Sequence, residues 1–479
     1  MKLLTKLYPH QYKAVEKLQK IKVGALYMEM GTGKTRVALE LIKLRLDAGK
    51  VDHVLWLCPC SVKESLKRDI KKHTTGDLSM FTICGIETLS SSIRANAILL
   101  RLVQEKKVYL IVDESNLVKN HRAKRTTNIT KLAEFCPYKL ILNGTPITKN
   151  EKDLFSQWYI LDWRILGYQS FWSFEANHLE YDDFGRIRRT LNLDYLVGKI
   201  APYTYQVKKN ECLDLPRKTY DTVYCHLTER QREHYQNVAN DLLLELDELE
   251  PHTIYRLFTG LQNVISGLKV TVETNLKSKP FFNNPLDNPR IETLLNLINK
   301  IEEKAIIFCK YTHEIETITE LINGKYGEGT AVKFYGELNQ KKRQNNLKKF
   351  ENEARFLVAN KTCAGYGLNL QFCSYAIYYS NDWDYATRGQ SEDRVHRMGQ
   401  ENNVHYIDIC AAYTLDERIL ECLRKKENLV ECFKAELEDK KDINILEKYL
   451  YYKDYKGRTK LSKIEQEKVK AIEELQEVY

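Results

Sequence analysis

Eight residues near the N-terminus have the types and spacing of a phosphate-binding loop. The segment runs from Met28 to Thr35 with the sequence MEMGTGKT. Gly31 and Gly33 permit the positive φ angles that turn successive backbone N–H groups toward one point, where an anion would bind. Lys34 would contact the β- and γ-phosphates of a nucleotide, and Thr35 would bind its Mg²⁺. The pattern therefore predicts a nucleotide site, although Met28 stands where the full pattern has glycine.

The loop lies between a predicted strand and a predicted helix. The apolar run 23–27 precedes it, and residues 36–46 have the apolar spacing of a helix. A helix that begins at a phosphate loop adds its positive N-terminal dipole to the site. Met30 and Thr32 complete the set of loop residues expected to surround the phosphates. An ordinary glycine-rich turn has the same local pattern, so the choice depends on the rest of the chain.

Two acidic residues follow a second apolar strand of the same kind. Residues 108–112 form a continuous apolar run that ends at Asp113 and Glu114. The carboxyl ends of strands are where α/β sheets bind their ligands. Asp113 would hold Mg²⁺ through water, and Glu114 would polarise the attacking water. With Lys34 and Thr35, these side chains would complete the acid and cation set of a nucleotide hydrolase.

Two further segments could contact ligands. Gln11 lies upstream of the phosphate loop, and a side-chain amide can donate to and accept from an adenine edge, although an ordinary surface residue is the alternative. Ser61 and Glu64 have the spacing of a capping box, which predicts a helix that begins there with Lys63 in its first turn. Such a helix end is a candidate seat for a nucleic-acid phosphate. A solvated basic face is the alternative.

A second cationic pattern lies more than 350 residues beyond the loop. Residues 390–400 read QSEDRVHRMGQ and place Arg394 and Arg397 three positions apart. This spacing predicts that both arginines lie on one helix face. Phosphoryl transfer needs mobile cations at the γ-phosphate, and an arginine finger contributes about 10³–10⁵ in rate. We therefore expect both arginines to be catalytic.

Apolar runs alternate with helical patterns in two parts of the chain. This alternation predicts an α/β fold with two parallel sheets, each covered by helices on both faces. Residues from about 150 to 290 lose the alternation and become aromatic and helical. The expected strands beyond those named above are residues 54–58, 138–142, 304–309, 332–336, 355–359, 376–379 and 404–409.

The ordered motifs resemble those of superfamily 2 helicase-like ATPases. The likeness is greatest to Swi/Snf-type translocases of double-stranded DNA, including their small annealing-helicase branch. The segments that carry it are Gln11, MEMGTGKT, DESN (113–116), LNGTP (142–146), CAGYGLNL (363–370) and QSEDRVHRMGQ. Asn116 departs from the family, which usually has His there, and this puts the coupling of the nucleotide site to the LNGTP segment in doubt.

The resemblance implies two tandem RecA-like lobes with small helical insertions. It places the ATP-binding lobe at residues 1–150, the insertions and the crossing at 151–290, the second lobe at 291–433 and a charged extension at 434–479. ATP and Mg²⁺ would bind between the lobes. Gly367 is a further candidate for nucleotide contact. Candidates for nucleic-acid contact, besides Ser61 and Lys63, are Thr145, Thr362 and Asn369.

The implied activity is a DNA-dependent ATPase that moves along duplex DNA and remodels DNA structures or protein–DNA complexes as its lobes close. A strand-separating DNA or RNA helicase is one alternative. A nucleotide-gated DNA clamp without productive translocation is another, but Lys34, Glu114 and both arginines are present, and a decayed ATPase would be expected to lose one of them. A monomer is expected, with a recruiting protein as an optional partner.

Composition constrains the function less strongly than the motifs do. The net charge of +9 and pI near 8.7 favour a polyanionic partner only slightly. Twelve cysteines occur without a CxxC pair, which predicts reduced thiols. The N-terminus lacks the apolar segment of a signal peptide, and no stretch of 18 apolar residues occurs. We expect a cytoplasmic protein of a bacterium or a phage-infected cell. Tyrosines and lysines clustered at 449–460 could grip nucleic acid, and a solvated helix is the alternative.

Overall fold

The chain folds into two compact units. The computed structural model describes residues 1–144, 152–181, 187–243, 251–271, 277–360 and 370–426, together with Leu368 and Leu429. The first unit contains the described residues up to Leu215, and the second contains most of those from Pro216 onward. Each unit is built on its own six-stranded sheet.

All six strands of the first sheet are parallel. They are β1 Val23–Met28, β2 His53–Cys58, β3 Phe81–Gly85, β4 Val108–Asp113, β5 Tyr138–Asn143 and β8 Thr204–Val207. Their order across the sheet is β3-β2-β4-β5-β1-β8. Asp113 pairs with Leu142, and Asn143 pairs with Tyr27. The register therefore brings the ends of β4, β5 and β1 to one edge of the sheet, where the phosphate loop begins.

The first sheet is apolar on both faces because helices cover both. Ala25, Tyr27 and Leu55 pack into one core, whereas Leu26 and Trp56 pack into another on the opposite face. The covering helices are α1 Pro9–Leu18, α2 Lys34–Asp47, α3 Lys63–His73, α4 Thr88–Ser91, α5 Ile93–Glu105, α6 Lys124–Glu134, α7 Lys152–Leu166, α8 Phe171–His178, α9 Leu193–Ile200 and α10 Lys209–Cys212.

The second sheet is also parallel. Its strands are β9 Lys218–Cys225, β12 Ala305–Cys309, β13 Ala331–Phe334, β14 Phe356–Asn360, β15 Tyr375–Tyr378 and β16 Val404–Ala411, in the order β13-β14-β12-β15-β16-β9. Its helices are α11 Glu229–Leu243, α12 Pro251–Ile265, α13 Pro289–Asn299, α14 Thr312–Tyr326, α15 Gln340–Asn352, α16 Tyr385–Val395 and α17 Leu415–Lys425. The predicted α/β class with two parallel, helix-covered sheets, as in tandem RecA-like lobes, is confirmed.

The region from 150 to 290 is less purely helical than the sequence predicts. It supplies edge strands to both sheets, β8 to the first and β9 to the second. Two short antiparallel hairpins also occur, β6 Leu179–Tyr181 with β7 Ile187–Thr190, and β10 Leu268–Thr271 with β11 Lys277–Pro280. Edge strands need not be apolar on both faces, so the polar residues of β9 hid it from a search for apolar runs.

The ten cysteines among the described residues are free thiols. In the same part of the chain, no helix combines the length and apolarity needed to cross a lipid bilayer.

Candidate functional site

The phosphate loop has the backbone conformation that its glycines predict. Gly31 and Gly33 have φ angles of 83° and 89°, in the region that glycine adopts readily. Gly33 caps helix α2, and its carbonyl accepts the N–H of Arg36 at 3.0 Å. Lys34 begins α2, and its Nζ donates to the Met28 carbonyl at 2.7 Å. The predicted order of strand, loop and helix is therefore present, with Thr35 in the first turn of α2.

Two side chains from α1 hold the loop by a single carbonyl. Gln11 Nε2 donates to the Thr32 carbonyl at 3.1 Å, and His10 Nε2 donates to the same oxygen at 2.8 Å. Gln11 Oε1 also accepts the N–H of Tyr8 at 3.0 Å. One amide N–H and one lone pair of Gln11 remain for a base edge, so the adenine contact stays a prediction. His10 was not predicted, and its position directly before Gln11 was the only sequence signal.

Thr32 itself is fully buried, which shows how closely the loop is packed. Its N–H and hydroxyl both bind the Glu29 carbonyl, at 3.3 and 2.7 Å. A Cβ atom added to Gly33 would lie 2.1 Å from Gln11 Nε2. Glycine at this position is therefore required by the close approach of Gln11 as well as by the positive φ angle. Met30 and Gly31 complete the loop at a partly exposed surface.

The acidic pair lies at the end of β4, on the same edge of the sheet. Burial and the neighbouring Glu114 raise the pKa of Asp113 to about 7, and the Lys34 ammonium opposes this rise. The loop lysine therefore lies close enough to Asp113 to act on its charge. Glu114 has a φ of 50°, which is unusual for a residue other than glycine and costs of order 1–3 kcal/mol. Such strain at this position suits a residue whose direction matters.

The donor set at this edge fits Mg²⁺. Two adjacent, half-buried carboxylates hold negative charge at a cost that a divalent cation would remove. Asp113 and the Thr35 hydroxyl are the groups that would bind the ion together with phosphate oxygens. The metal would neutralise developing charge on the phosphates.

The residues after Glu114 connect this edge to α7. Ser115 Oγ donates to Gln157 Oε1 at 2.5 Å, and both side chains are buried. Asn116 Oδ1 and Asn143 Nδ2 are buried, and each is without a hydrogen-bond partner within the described residues. The effect of Asn116 on coupling stays a prediction, because Thr145, the next candidate along, lies outside the described residues.

The second unit places its two arginines differently from the prediction. Helix α16 ends at Val395, so Arg394 lies in its last turn and Arg397 lies beyond it. The prediction of one helix face is therefore wrong. The helix ends because Leu370 N–H donates to the Arg394 carbonyl at 3.1 Å and Gln400 Nε2 donates to the Val395 carbonyl at 3.3 Å. These donors satisfy carbonyls that would otherwise need another helical turn.

The arginine segment is held firmly on both sides of that helix end. His396 Nε2 donates to the Pro216 carbonyl at 2.8 Å. Arg388, one and a half turns before Arg394, is buried and pairs with Asp408 at 2.5 Å and with Glu392 at 2.8 Å. These contacts fix α16 to the second sheet. The signal that could have identified Arg388 is its spacing of four from Glu392.

The candidates for nucleic-acid contact are only partly described. Helix α3 begins at Lys63, after a 3₁₀ turn formed by Cys60–Val62, and its N-cap residue is Val62. The predicted capping box is wrong because the N-cap is Val62, one residue after Ser61, and Glu64 pairs with Lys67 at 2.8 Å. Ser61 lies in the turn, and Lys63 is half-buried. Thr362, Asn369 and the extension from residue 434 lie outside the described residues, as does Gly367, the candidate for nucleotide contact.

Two family models match this chain. Residues 10–276, more than half of the chain, match the family model "SNF2-related domain", and residues 289–399 match "Helicase conserved C-terminal domain". The chain is 25% identical to "Uncharacterized ATP-dependent helicase YqhH" of Bacillus subtilis (strain 168), over 92% of this chain and 83% of YqhH. It is 26% identical to "Uncharacterized ATP-dependent helicase MG018" of Mycoplasma genitalium, over 68% of this chain and 31% of that protein.

Among solved structures, the Sulfolobus solfataricus SWI2/SNF2 ATPase core in complex with double-stranded DNA is 21% identical, with a TM-score of 0.40. The comparison covers 94% of this chain and 98% of that one. The chain thus spans most of YqhH but only about a third of the mycoplasma relative.

Proposed function

Because this chain belongs to the SNF2-related family and is an ATP hydrolase, we propose that it moves along double-stranded DNA and remodels DNA structures or protein–DNA complexes. The single observation that supports an active motor is the convergence of Lys34, Asp113 and Glu114 at one edge of the first sheet.

Each unit supplies its own share of the proposed chemistry. Lys34 and the loop N–H groups bind the phosphates, and Glu114 orients and deprotonates the attacking water. Arg394 and Arg397, carried by the second unit, supply positive charge to the transferred phosphoryl group. Hydrolysis then needs both units, so repeated closure and reopening would advance the protein along a phosphate backbone.

The DNA assignment has separate support. SNF2-related and helicase C-terminal modules occur together in this chain, and its relatives are named ATP-dependent helicases. The net charge of +9 agrees with a polyanionic substrate. A monomer that works in the cytoplasm, with or without a recruiting protein, completes the proposal.

The decisive experiment measures ATP hydrolysis against a panel of polynucleotides. Duplex DNA should stimulate turnover more strongly than forked DNA, single-stranded DNA or RNA, and Lys34→Ala provides the inactive control. The native chain should also displace the third strand of a DNA triplex without separating the duplex. Greater stimulation by single strands, with unwinding of the fork, would instead establish a strand-separating helicase.

A third outcome would identify a nucleotide-gated clamp. In that case ATP would change DNA affinity, but no polynucleotide would stimulate turnover. DNA binding should also weaken steeply as salt is added, because phosphate contacts release counterions. A complex insensitive to salt would contradict a surface that follows the phosphate backbone.

A further inference from the structure

Glu29, the second residue of the phosphate loop, is bound to a segment about 180 positions away. Glu29 N–H donates to the Val207 carbonyl at 3.1 Å, and Lys209 N–H donates to Glu29 Oε2 at 2.7 Å. Met28 pairs with Val207 in the parallel ladder of β1 and β8. The loop is thus fixed to the end of β8 and to the start of α10 by its backbone and by a carboxylate.

The same residue also shapes the loop. The Glu29 carbonyl accepts both the N–H and the hydroxyl of Thr32. Lys34 Nζ donates to the carbonyl of the preceding residue, Met28. Lys34 is therefore connected to Lys209 by one hydrogen bond to Met28, the covalent chain of residues 28 and 29, and one hydrogen bond to the Glu29 carboxylate.

The hydrogen bonds of Glu29 matter because α10 is followed by the segment that joins the two units. The helix ends at Cys212, and three residues without regular structure, 213–215, lead to Pro216, where the second unit begins. Lys209 is only 7% exposed, so its N–H has little access to water as an alternative partner. A displacement of Glu29 would therefore be passed to the segment that joins the units.

We propose that Glu29 is a positioning residue that couples the phosphate loop to the segment joining the two units. It does not touch the reacting atoms. Phosphate oxygens would bind the same Lys34 ammonium that donates to the Met28 carbonyl, and Glu29 transmits the resulting adjustment of the loop to Lys209. This inference rests on the proposed function, since it assumes that nucleotide binds at the loop.

The test compares Glu29→Ala and Glu29→Gln in the full chain. Hydrogen–deuterium exchange of the peptide covering residues 208–217 is measured with and without the ATP analogue AMP-PNP and Mg²⁺. The native chain should show a change in exchange of at least fivefold on adding the analogue. Glu29→Ala should lose this response, whereas Glu29→Gln keeps an acceptor and should retain it.

Steady-state kinetics provide a second test of the role of Glu29. With duplex DNA, Glu29→Ala should lower kcat about tenfold, equivalent to about 1.4 kcal/mol, while KM for ATP rises less than threefold. Glu211→Ala is the matched control because Glu211 Oε2 accepts the N–H of Lys208 at 3.0 Å in the same short helix without contacting the loop. That variant should keep both the exchange response and kcat.

Three results would overturn the proposal. The first is a normal exchange response and normal kcat in Glu29→Ala, and the second is an equal loss in Glu211→Ala. The third is a loss in Glu29→Gln as large as in Glu29→Ala with unchanged melting temperatures. If the native chain does not bind AMP-PNP, the proposed function fails as well. If the native chain binds AMP-PNP and its ATP hydrolysis is stimulated by DNA, any of these three results would overturn only the proposed role of Glu29.

Discussion

Replacement of Asp113 by asparagine should stabilise the first unit while abolishing ATP hydrolysis. The pKa of Asp113 rises from its ordinary value of 3.8 to about 7, mainly because the side chain is buried. A rise of about 3 pKa units corresponds to about 4 kcal/mol of folding free energy, at about 1.4 kcal/mol for each unit. Asparagine has nearly the same shape without the charge, so this is the largest gain expected from Asp113→Asn.

The gain should depend on pH in a defined direction. Below about pH 4, Asp113 is protonated in both the folded and the unfolded chain, and the substitution changes little. Between about pH 4 and 7 the folded native chain binds more protons, so its stability falls as pH rises. The advantage of Asp113→Asn should therefore be small near pH 4 and complete above pH 7.

Urea unfolding followed by tryptophan fluorescence measures this gain. Four of the five tryptophans, Trp56, Trp158, Trp163 and Trp172, lie in the first unit. With a urea slope of about 3 kcal/mol/M, the midpoint at pH 8 should rise by about 1 M. Asp52→Asn, at an exposed carboxylate of the same unit, is the control. A midpoint that does not rise at pH 8, or that rises equally at pH 4 and 8, would refute the reasoning.

Three further outcomes are expected. Lys34→Ala and Arg397→Ala should each abolish DNA-stimulated phosphate release, and near-normal turnover in either would remove that residue from the site. Gly33→Ala should weaken binding of a fluorescent ATP analogue about tenfold, because the added Cβ would clash with the side-chain amide nitrogen of Gln11. Unchanged binding would show that the loop can relax. Arg290→Met should destabilise the second unit by about 3–5 kcal/mol in urea unfolding followed at Trp383, since it leaves buried Asp416 without its ion-pair partner at 2.9 Å. A loss below about 1 kcal/mol would contradict that role.

The sequence was sufficient for the parts of the fold that are governed by local chemistry. Strands such as β4 are buried on both faces and therefore appear as continuous apolar runs. The phosphate loop was predictable because its glycines are needed for φ angles that other residues rarely adopt. Both features can be recognised from a few neighbouring residues.

Features that depend on distant partners could not be predicted in this way. Helix α16 ends before Arg397 because Gln400 and the N–H of Leu370 satisfy its last carbonyls, and no local pattern indicates this. The bond from Lys209 to Glu29 joins residues 180 positions apart. The pairing of Glu64 with Lys67, rather than with a helix cap, was not predicted from the sequence.

The hydrogen bonds that hold Lys209 and Pro216 affect the effective concentration of one unit relative to the other. Lys209 is held by Glu29 of the phosphate loop, and Pro216 is held by His396, the neighbour of Arg397. Only residues 213–215 separate helix α10 from Pro216, and three extended residues span about 10 Å. A tether this short gives the two units a high effective concentration relative to each other. In the proposed mechanism, its length would set the frequency of productive encounters, as much as any side chain does.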